Sequence, residues 1–146
     1  MKTYLYKISK QIVGNNILVF GSNTQGKHGK GTAKLALLEF GARYGQAMGL
    51  QGHSYGIVTK DLTKSTHPSV SRESIIEQIN NLYDFAIERP EWDFFVPYTG
   101  VGENLNFYTP KQMAEMFAAP GKIPDNIVFE ETFAQLILKI QSNTLF

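Results

Sequence analysis

Ile17-Leu-Val-Phe-Gly-Ser-Asn-Thr-Gln-Gly-Lys-His-Gly-Lys-Gly-Thr-Ala-Lys-Leu-Ala36 is the stretch that decides how this chain folds. Its first four residues are apolar and β-favouring and run directly into Gly21-Ser22-Asn23. An apolar run of that length, bounded by turn residues, predicts a strand buried on both faces. Downstream, Ala33, Ala36, Leu37 and Phe40 recur at helical spacing and stop at Gly41, so a helix follows the glycine-rich loop. Strand, loop and helix open a βαβ unit.

The alternation continues on both sides. Tyr4 to Ile8 alternates apolar with polar residues and predicts an edge strand, and Ser54-Tyr-Gly-Ile-Val58 predicts another strand, followed by a polar loop over 61–70 that holds Pro68. Ile75, Ile76, Ile79, Leu82, Tyr83 and Ala86 stripe a helix over 72–88, with Ser71 or Ser74 as its cap and Arg89-Pro90 as its stop. Trp92 to Val96 is a second strongly apolar strand, and it runs into the turn-rich Pro97-Tyr-Thr-Gly-Val-Gly102. Thr109-Pro-Lys-Gln112 starts a helix whose buried side is Met113, Ala114 and Phe117 and which ends at Pro120-Gly121. Asn126 to Phe129 reads as one more strand, and Phe133, Leu136, Ile137 and Ile140 stripe a terminal helix. Strands alternating with helices imply one three-layer α/β domain over residues 1–146, with a mostly parallel sheet. Ligands of such folds sit beyond the carboxyl ends of the strands, where the loops 21–31 and 97–104 both fall.

Composition narrows the chemistry. Of 146 residues 13 are glycine, and ten of these lie between Gly14 and Gly56, so that segment is either turn-rich or shaped around a ligand. With no cysteine there is no disulfide scaffold, thiolate nucleophile or cysteine-held metal, and any chemistry falls to oxygen and nitrogen groups. A formal net charge of +1 argues against a protein that coats nucleic acid. The charge is unevenly placed, since residues 1–64 carry nine Lys and Arg against Glu39 and Asp61. A basic half suits an anionic ligand bound locally; two halves attracting each other within one domain is the plainer reading. The start MKTYLYKISK holds no signal-peptide core and no stretch is long and apolar enough for a membrane helix, so the expectation is a cytoplasmic protein.

Gly21-Ser-Asn-Thr-Gln-Gly26-Lys27-His28 nearly spells the phosphate-binding loop GxxxxGK[ST], but His28 stands where a hydroxyl holds magnesium. No apolar strand ends in the aspartate that would complete such a site, so nucleotide hydrolysis of that type is set aside and no metal or cofactor is expected. What survives is the physics of a glycine-rich loop whose backbone N–H groups, backed by a helix start, attract phosphate or diphosphate. Lys27, His28 and Lys30 add positive charge, and Gly100 and Gly102 supply a facing loop. Tight turns alone would also explain these glycines.

Val19-Phe-Gly-Ser-Asn23, the loop with Gly26, Gly29 and Gly31, and the helix start Thr32-Ala33-Lys34-Leu35-Ala36 resemble the first ligand loop of macrodomains, the ADP-ribose-binding modules. The strand 92–96 with Pro97-Tyr-Thr-Gly100-Val-Gly102 is similar to the family's second, diphosphate-binding loop, and the match in order and spacing runs over roughly residues 15–110. The string GSN-x-x-G-x-H-G-x-G-x-A also resembles small phage and bacterial proteins placed near the macrodomains. The resemblance implies a mixed sheet, Asn23 at a distal ribose, the backbone from Gly29 to Thr32 along ribose and diphosphate, and Thr99 to Gly102 wrapping the diphosphate from the other side. The chain departs from the family in two places. The region where macrodomains carry an adenine-binding aspartate reads Gly14-Asn15-Asn16, and Lys27, His28 and Lys30 break up the glycine triplet.

The expected ligand-binding set is therefore Gly21, Ser22, Asn23, Gly26, Gly29, Lys30, Gly31, Thr32, Thr99, Gly100, Val101 and Gly102. Asn23, His28 and Glu103 are the catalytic candidates: His28 or Glu103 would activate water while Asn23 orients the ribose. His53 is a second histidine candidate, though for both His28 and His53 the plainer reading is an exposed loop histidine that is just polar surface. Lys60-Asp61 would reach the site from the next strand, and Tyr98, Phe107 and Tyr108 flank the second loop, where they would stack on a base or, for Phe107 and Tyr108, pack under the following helix. The leading reading is a binder of a small-molecule nucleotide, ADP-ribose or an NAD-derived relative, with hydrolysis of a bond at the distal ribose as an added activity. The rivals are a reader module without catalysis and a Rossmann-like protein binding a nucleoside phosphate on an all-parallel sheet.

Overall fold

The computed structural model describes residues 2–4, 16–98 and 106–143. Its elements in chain order are β1 (Lys2–Tyr4), β2 (Asn16–Asn23), α1 (Gly31–Glu39), β3 (Gly49–Gln51), β4 (Ser54–Lys60), α2 (Arg72–Ile87), β5 (Asp93–Val96), α3 (Pro110–Ala118), β6 (Ile127–Glu130) and α4 (Glu131–Asn143). They form a six-stranded sheet in the order β1-β6-β5-β2-β4-β3.

Side-chain alternation along β2 explains why the run 17–20 had to be wholly apolar. Ile17 and Val19 point into a large core with Phe94, Val96, Ile127, Phe129 and the buried faces of α2, α3 and α4. Leu18 and Phe20 point the other way, into a smaller core with Ala33 and Ala36 of α1, Phe40 and Ala42. The three layers are thus α2, α3 and α4 on one face, the sheet, and α1 on the other. β2 sits between β4 and β5 and pairs with both in parallel, so it has no polar face to spare. Small residues at 33 and 36 let α1 lie close on the sheet, with Ala36 fully buried.

Among the described residues all strand pairs are parallel except β3 with β4, where Leu50 stands opposite Tyr55. This antiparallel edge makes the sheet mixed and sets aside the all-parallel Rossmann alternative. β3 leaves no signal in the sequence, because the three residues Gly49-Leu50-Gln51 are too few to carry a periodicity. At the other edge, the strand expected over 4–8 is described at Lys2–Tyr4, and residues 5–15 lie outside the described residues. The terminal strand and the helices fall within a few residues of expectation. Of the two cap candidates for α2, Ser71 does the work, accepting from the backbone N–H of Ser74, and Thr109 with Gln112 closes a complete capping box on α3.

Leu18 is fully buried in the smaller core, so Leu18→Ala is expected to cost roughly 2–5 kcal/mol in urea unfolding. Leu38, 69% exposed on the outer side of α1, should tolerate Ala within about 0.5 kcal/mol.

Candidate functional site

The carboxyl end of β2 is set by its neighbour. β2 and β4 run in register from Leu18 to Ser22, and an extra residue on β4 then shifts the pairing so that Asn23 stands beside Lys60. The ladder continues one step further, with Thr24 N–H donating to the Lys60 carbonyl at 3.0 Å. Thr24 and Asp61 tie the two strand ends together. The Asp61 carboxylate accepts from the hydroxyls of Thr24 and Thr63 and from the Thr63 N–H, while Thr24 Oγ1 accepts from Leu62 N–H. The Thr63 bonds, first among the causes, hold the Asp61 carboxyl below its ordinary pKa.

From that end the chain turns sharply, and the Asn23 side chain organises the turn. Its Oδ1 accepts from the N–H groups of Gln25 and Lys27 at 3.2 and 3.0 Å, and its Nδ2 donates to the Lys27 carbonyl at 2.7 Å. Gly26 follows at φ +65°, and a Cβ there would lie 2.5 Å from the Gly45 carbonyl carbon, so only glycine lets the loop pack on the 43–46 turn.

The His28 ring, expected as loop surface, is buried beneath the loop at 1% exposure. It meets Phe20 edge-on at 5.0 Å, and Nε2 lies 2.9 Å from the Arg43 carbonyl and 3.2 Å from Gln51 Oε1. Both neighbours are acceptors, since Gln51 Oε1 also takes the Arg43 N–H and its Nε2 donates to the Gln46 carbonyl. The proton therefore sits on Nε2, and Nδ1 is a buried atom with no partner among the described residues.

Past His28, Gly29, Lys30 and Gly31 are exposed and lead into α1. Lys30 occupies the N-cap in an extended conformation and provides no side-chain bond. Among the described residues no acceptor takes the backbone N–H of Gly29, Lys30, Gly31 or Thr32. The other helices close their starts from within. Ser71 caps α2, Thr109 caps α3, and the Glu130 carboxylate accepts from Thr132 and Phe133 N–H at the head of α4. The first turn of α1 alone among these four presents bare donors, with Lys27 and Lys30 beside them.

The remaining candidates divide. Gly21, Ser22 and Asn23 lie at the end of β2, and Lys60 and Asp61 join them as expected. Gly21 abuts Tyr98, because a Cβ there would meet its hydroxyl at 3.3 Å. Burial pushes the Tyr98 phenol up to about 12, and its ring packs on Phe117 and Phe133, so it belongs to the core. Tyr108 is likewise buried and donates to the Val70 carbonyl. Phe107 goes the other way: expected under the helix as the alternative to stacking, it stands exposed beside Lys60 and His67. His53 precedes β4 and thus sits at the amino end of that strand, the far end of the sheet from the loop. Thr99, Gly100, Val101, Gly102 and Glu103 lie outside the described residues, as do Gly14 and Asn15. His67 and Ser69, paired at 2.8 Å near the strand end, escaped the sequence reading because they lie in a polar loop without pattern.

Among the described residues no three His, Asp or Glu converge as metal ligands would. No helix there is long and apolar enough to cross a membrane. A hollow of about 350 Å³ lined by Ala86, Ile87, Pro90 and Lys122 opens at the amino end of β5 and β6, away from the loop.

No protein-family profile matches the chain, and no curated protein does. Among solved structures it is similar to a crystal structure of three main domains of nonstructural protein 3 from Coronavirus, with a TM-score of 0.60 and 14% sequence identity. The match covers 97% of this chain and 35% of that one, so the chain spans about a third of that protein's solved length. At this identity the likeness is one of fold. Together with the mixed sheet it shows a three-layer α/β/α fold, consistent with a macrodomain-like architecture.

Because the Asp61 pKa is lowered in the folded state, its contribution to stability is complete above the ordinary carboxylate value and fades as pH falls through the lowered one. Asp61→Asn is therefore expected to be less stable than wild type near neutrality, with the gap closing in urea unfolding as the pH falls below the ordinary carboxylate range. A gap independent of pH would show that the carboxylate charge does not hold the strand ends together.

Proposed function

We propose that the protein binds a nucleotide of the ADP-ribose type at the carboxyl end of β2, with its phosphates on the N–H groups at the start of α1. The observation that carries this reading is the uncapped first turn of α1, whereas Ser71, Thr109 and Glu130 cap the other three helices among the described residues. Unsatisfied helix-start donors and the partial positive charge of the helix favour an anion, and Lys27 and Lys30 add to it. The position agrees with the general rule that open α/β sheets bind ligands beyond the carboxyl ends of their strands. The macrodomain-like fold and the loop resemblance favour ADP-ribose over other phosphate esters.

In this reading Asn23 and His28 act on the loop. Asn23 holds the turn closed, and His28, whose ring faces the interior, props the segment that carries the donors. Thr99 to Gly102 are proposed to close over the diphosphate from β5, and Glu103 is the group proposed to face the distal ribose, where it would orient water if a bond there is hydrolysed. Binding without turnover remains the second reading, favoured by the burial of His28 away from solvent.

A single substitution separates ligand capture from stability by giving the two opposite signs. Lys30 already has the extended backbone of an N-cap, so Lys30→Asp places a carboxylate where it can accept the free N–H groups. The variant is expected to gain roughly 0.5–1 kcal/mol in thermal or urea unfolding. It is expected to lose at least about tenfold in calorimetric affinity for ADP-ribose. Wild type showing no thermal stabilisation by ADP-ribose, ADP-ribose-1″-phosphate, NAD, AMP or ATP would end the proposal.

A further inference from the structure

Among the described residues the sheet ends at β3, a strand of three residues with β4 on its inner side and no strand on its outer side. A two-residue connection, Gly52-His53, joins it to β4, so Gln51 and Ser54 form the hydrogen-bonded closing pair of the hairpin. Leu50, opposite Tyr55 and one step along, is then the residue whose N–H and C=O face away from the sheet. Such an edge is a template for another strand, and chains blunt it with lysine, other charges or proline. Beyond its shortness β3 has none of these protections: no Lys, Arg, Asp, Glu or Pro stands between Arg43 and Lys60. Leu50 is itself partly exposed, and Met48 before it is 57% exposed.

One carboxamide occupies this edge. Gln46 Nε2 donates to the Met48 carbonyl and to the Leu50 carbonyl, both at 3.1 Å. Gly49, at φ +81°, bends the chain between the two acceptors so that one nitrogen reaches both. Both amide hydrogens of Gln46 are thereby spent on carbonyls that an added strand would need. The side chain also starts from a fixed base. Gln46 N–H donates to the Arg43 carbonyl at 3.0 Å, and the Gln46 carbonyl accepts from the buried Gln51 carboxamide at 3.2 Å.

We propose that Gln46 is a built-in block on strand pairing, which occupies the β3 edge in place of a neighbouring strand and keeps the chain from pairing there with a second copy of itself. A second copy is the occupant it excludes, because antiparallel pairing of β3 with β3 is self-complementary. That pairing sets Leu50 and Met48 against their counterparts and meets no like charge on either strand. A glutamine suits the position because its amide donates as a backbone N–H does, whereas an apolar side chain of the same length leaves the carbonyls bare. The block is independent of what binds at the start of α1.

Light scattering and amide hydrogen exchange on wild type, Gln46→Met and Gln46→Lys test this. Methionine keeps the length of the side chain and loses both donors, while the lysine ammonium still donates to the carbonyls and adds a charge to the edge. Wild type and Gln46→Lys are expected to stay at the 16.4 kDa of one chain, and Gln46→Met to rise with concentration toward twice that mass. In Gln46→Met the Leu50 amide is expected to exchange at least about tenfold more slowly in a concentrated sample than in a dilute one. Leu50→Lys in the Gln46→Met background sets like charges across the pairing and is expected to return the monomer. A folded Gln46→Met that stays monomeric overturns the block, as does association that leaves the Leu50 amide unprotected or that Leu50→Lys does not reverse. Wild type pairing through β3 overturns it equally. Should methionine prevent folding, read by circular dichroism, Gln46→Ala takes its place with the same outcomes.

Discussion

Three hydrogen bonds from one carboxamide hold the turn on which the candidate site depends. Asn23 stands at the last position of a strand buried on both faces, and its Oδ1 and Nδ2 are committed to the backbone of Gln25 and Lys27. Each such bond contributes only about 0.5–1.5 kcal/mol net, yet together they dictate where the chain goes next. The turn brings Gly26 against Gly45, sets His28 inward onto Phe20, and leads to Gly29–Thr32, whose N–H groups have no acceptor among the described residues. Asp61 and Thr24 then lock the turn to β4.

This rigidity matters because the proposed ligand contacts are backbone donors. Side-chain recognition can rearrange, whereas a helix start offers its donors in one direction only, and its worth depends on holding that direction before the ligand arrives. The helix α1 pays for its open start with an uncapped first turn, while α2, α3 and α4 satisfy theirs internally. The charge distribution has the same logic. Three lysines of the basic first half, Lys27, Lys30 and Lys60, belong to this loop and the strand end beside it, and Glu130, the carboxylate at the end of β6, is occupied in capping α4.

Much of the fold was legible in the sequence, and for a physical reason: β2, α1, α2 and α4 bury stripes whose period betrays them. Thr109 and Gln112 announced their capping box through chemistry that needs no tertiary context. The strand β3 was illegible because pairing with β4, rather than its own three residues, makes it a strand. At the candidate site, Gly21-Ser22-Asn23 was legible as the turn that ends β2, and Lys60-Asp61 as the end of the neighbouring strand, whereas a ligand role for Asn23 rests on the resemblance alone. The orientation of His28 was misread. A polar ring in a glycine-rich loop looks exposed until the neighbours that accept its proton, Arg43 and Gln51, are known to fold beneath it. His67 and Ser69 had no pattern to give them away, since they meet Phe107 only through the packing of two distant loops.

The central claim is that bare donors at the start of α1 receive phosphate. It is tested most directly by following the backbone amides in a ¹⁵N-correlated NMR titration with ADP-ribose. The account predicts that the amide protons of Gly29, Lys30, Gly31 and Thr32 shift downfield on binding, while those at the start of α2, already satisfied by Ser71, do not move. Saturable shifts centred instead on the hollow by Ala86, Pro90 and Lys122, with those four amides unmoved, would contradict it.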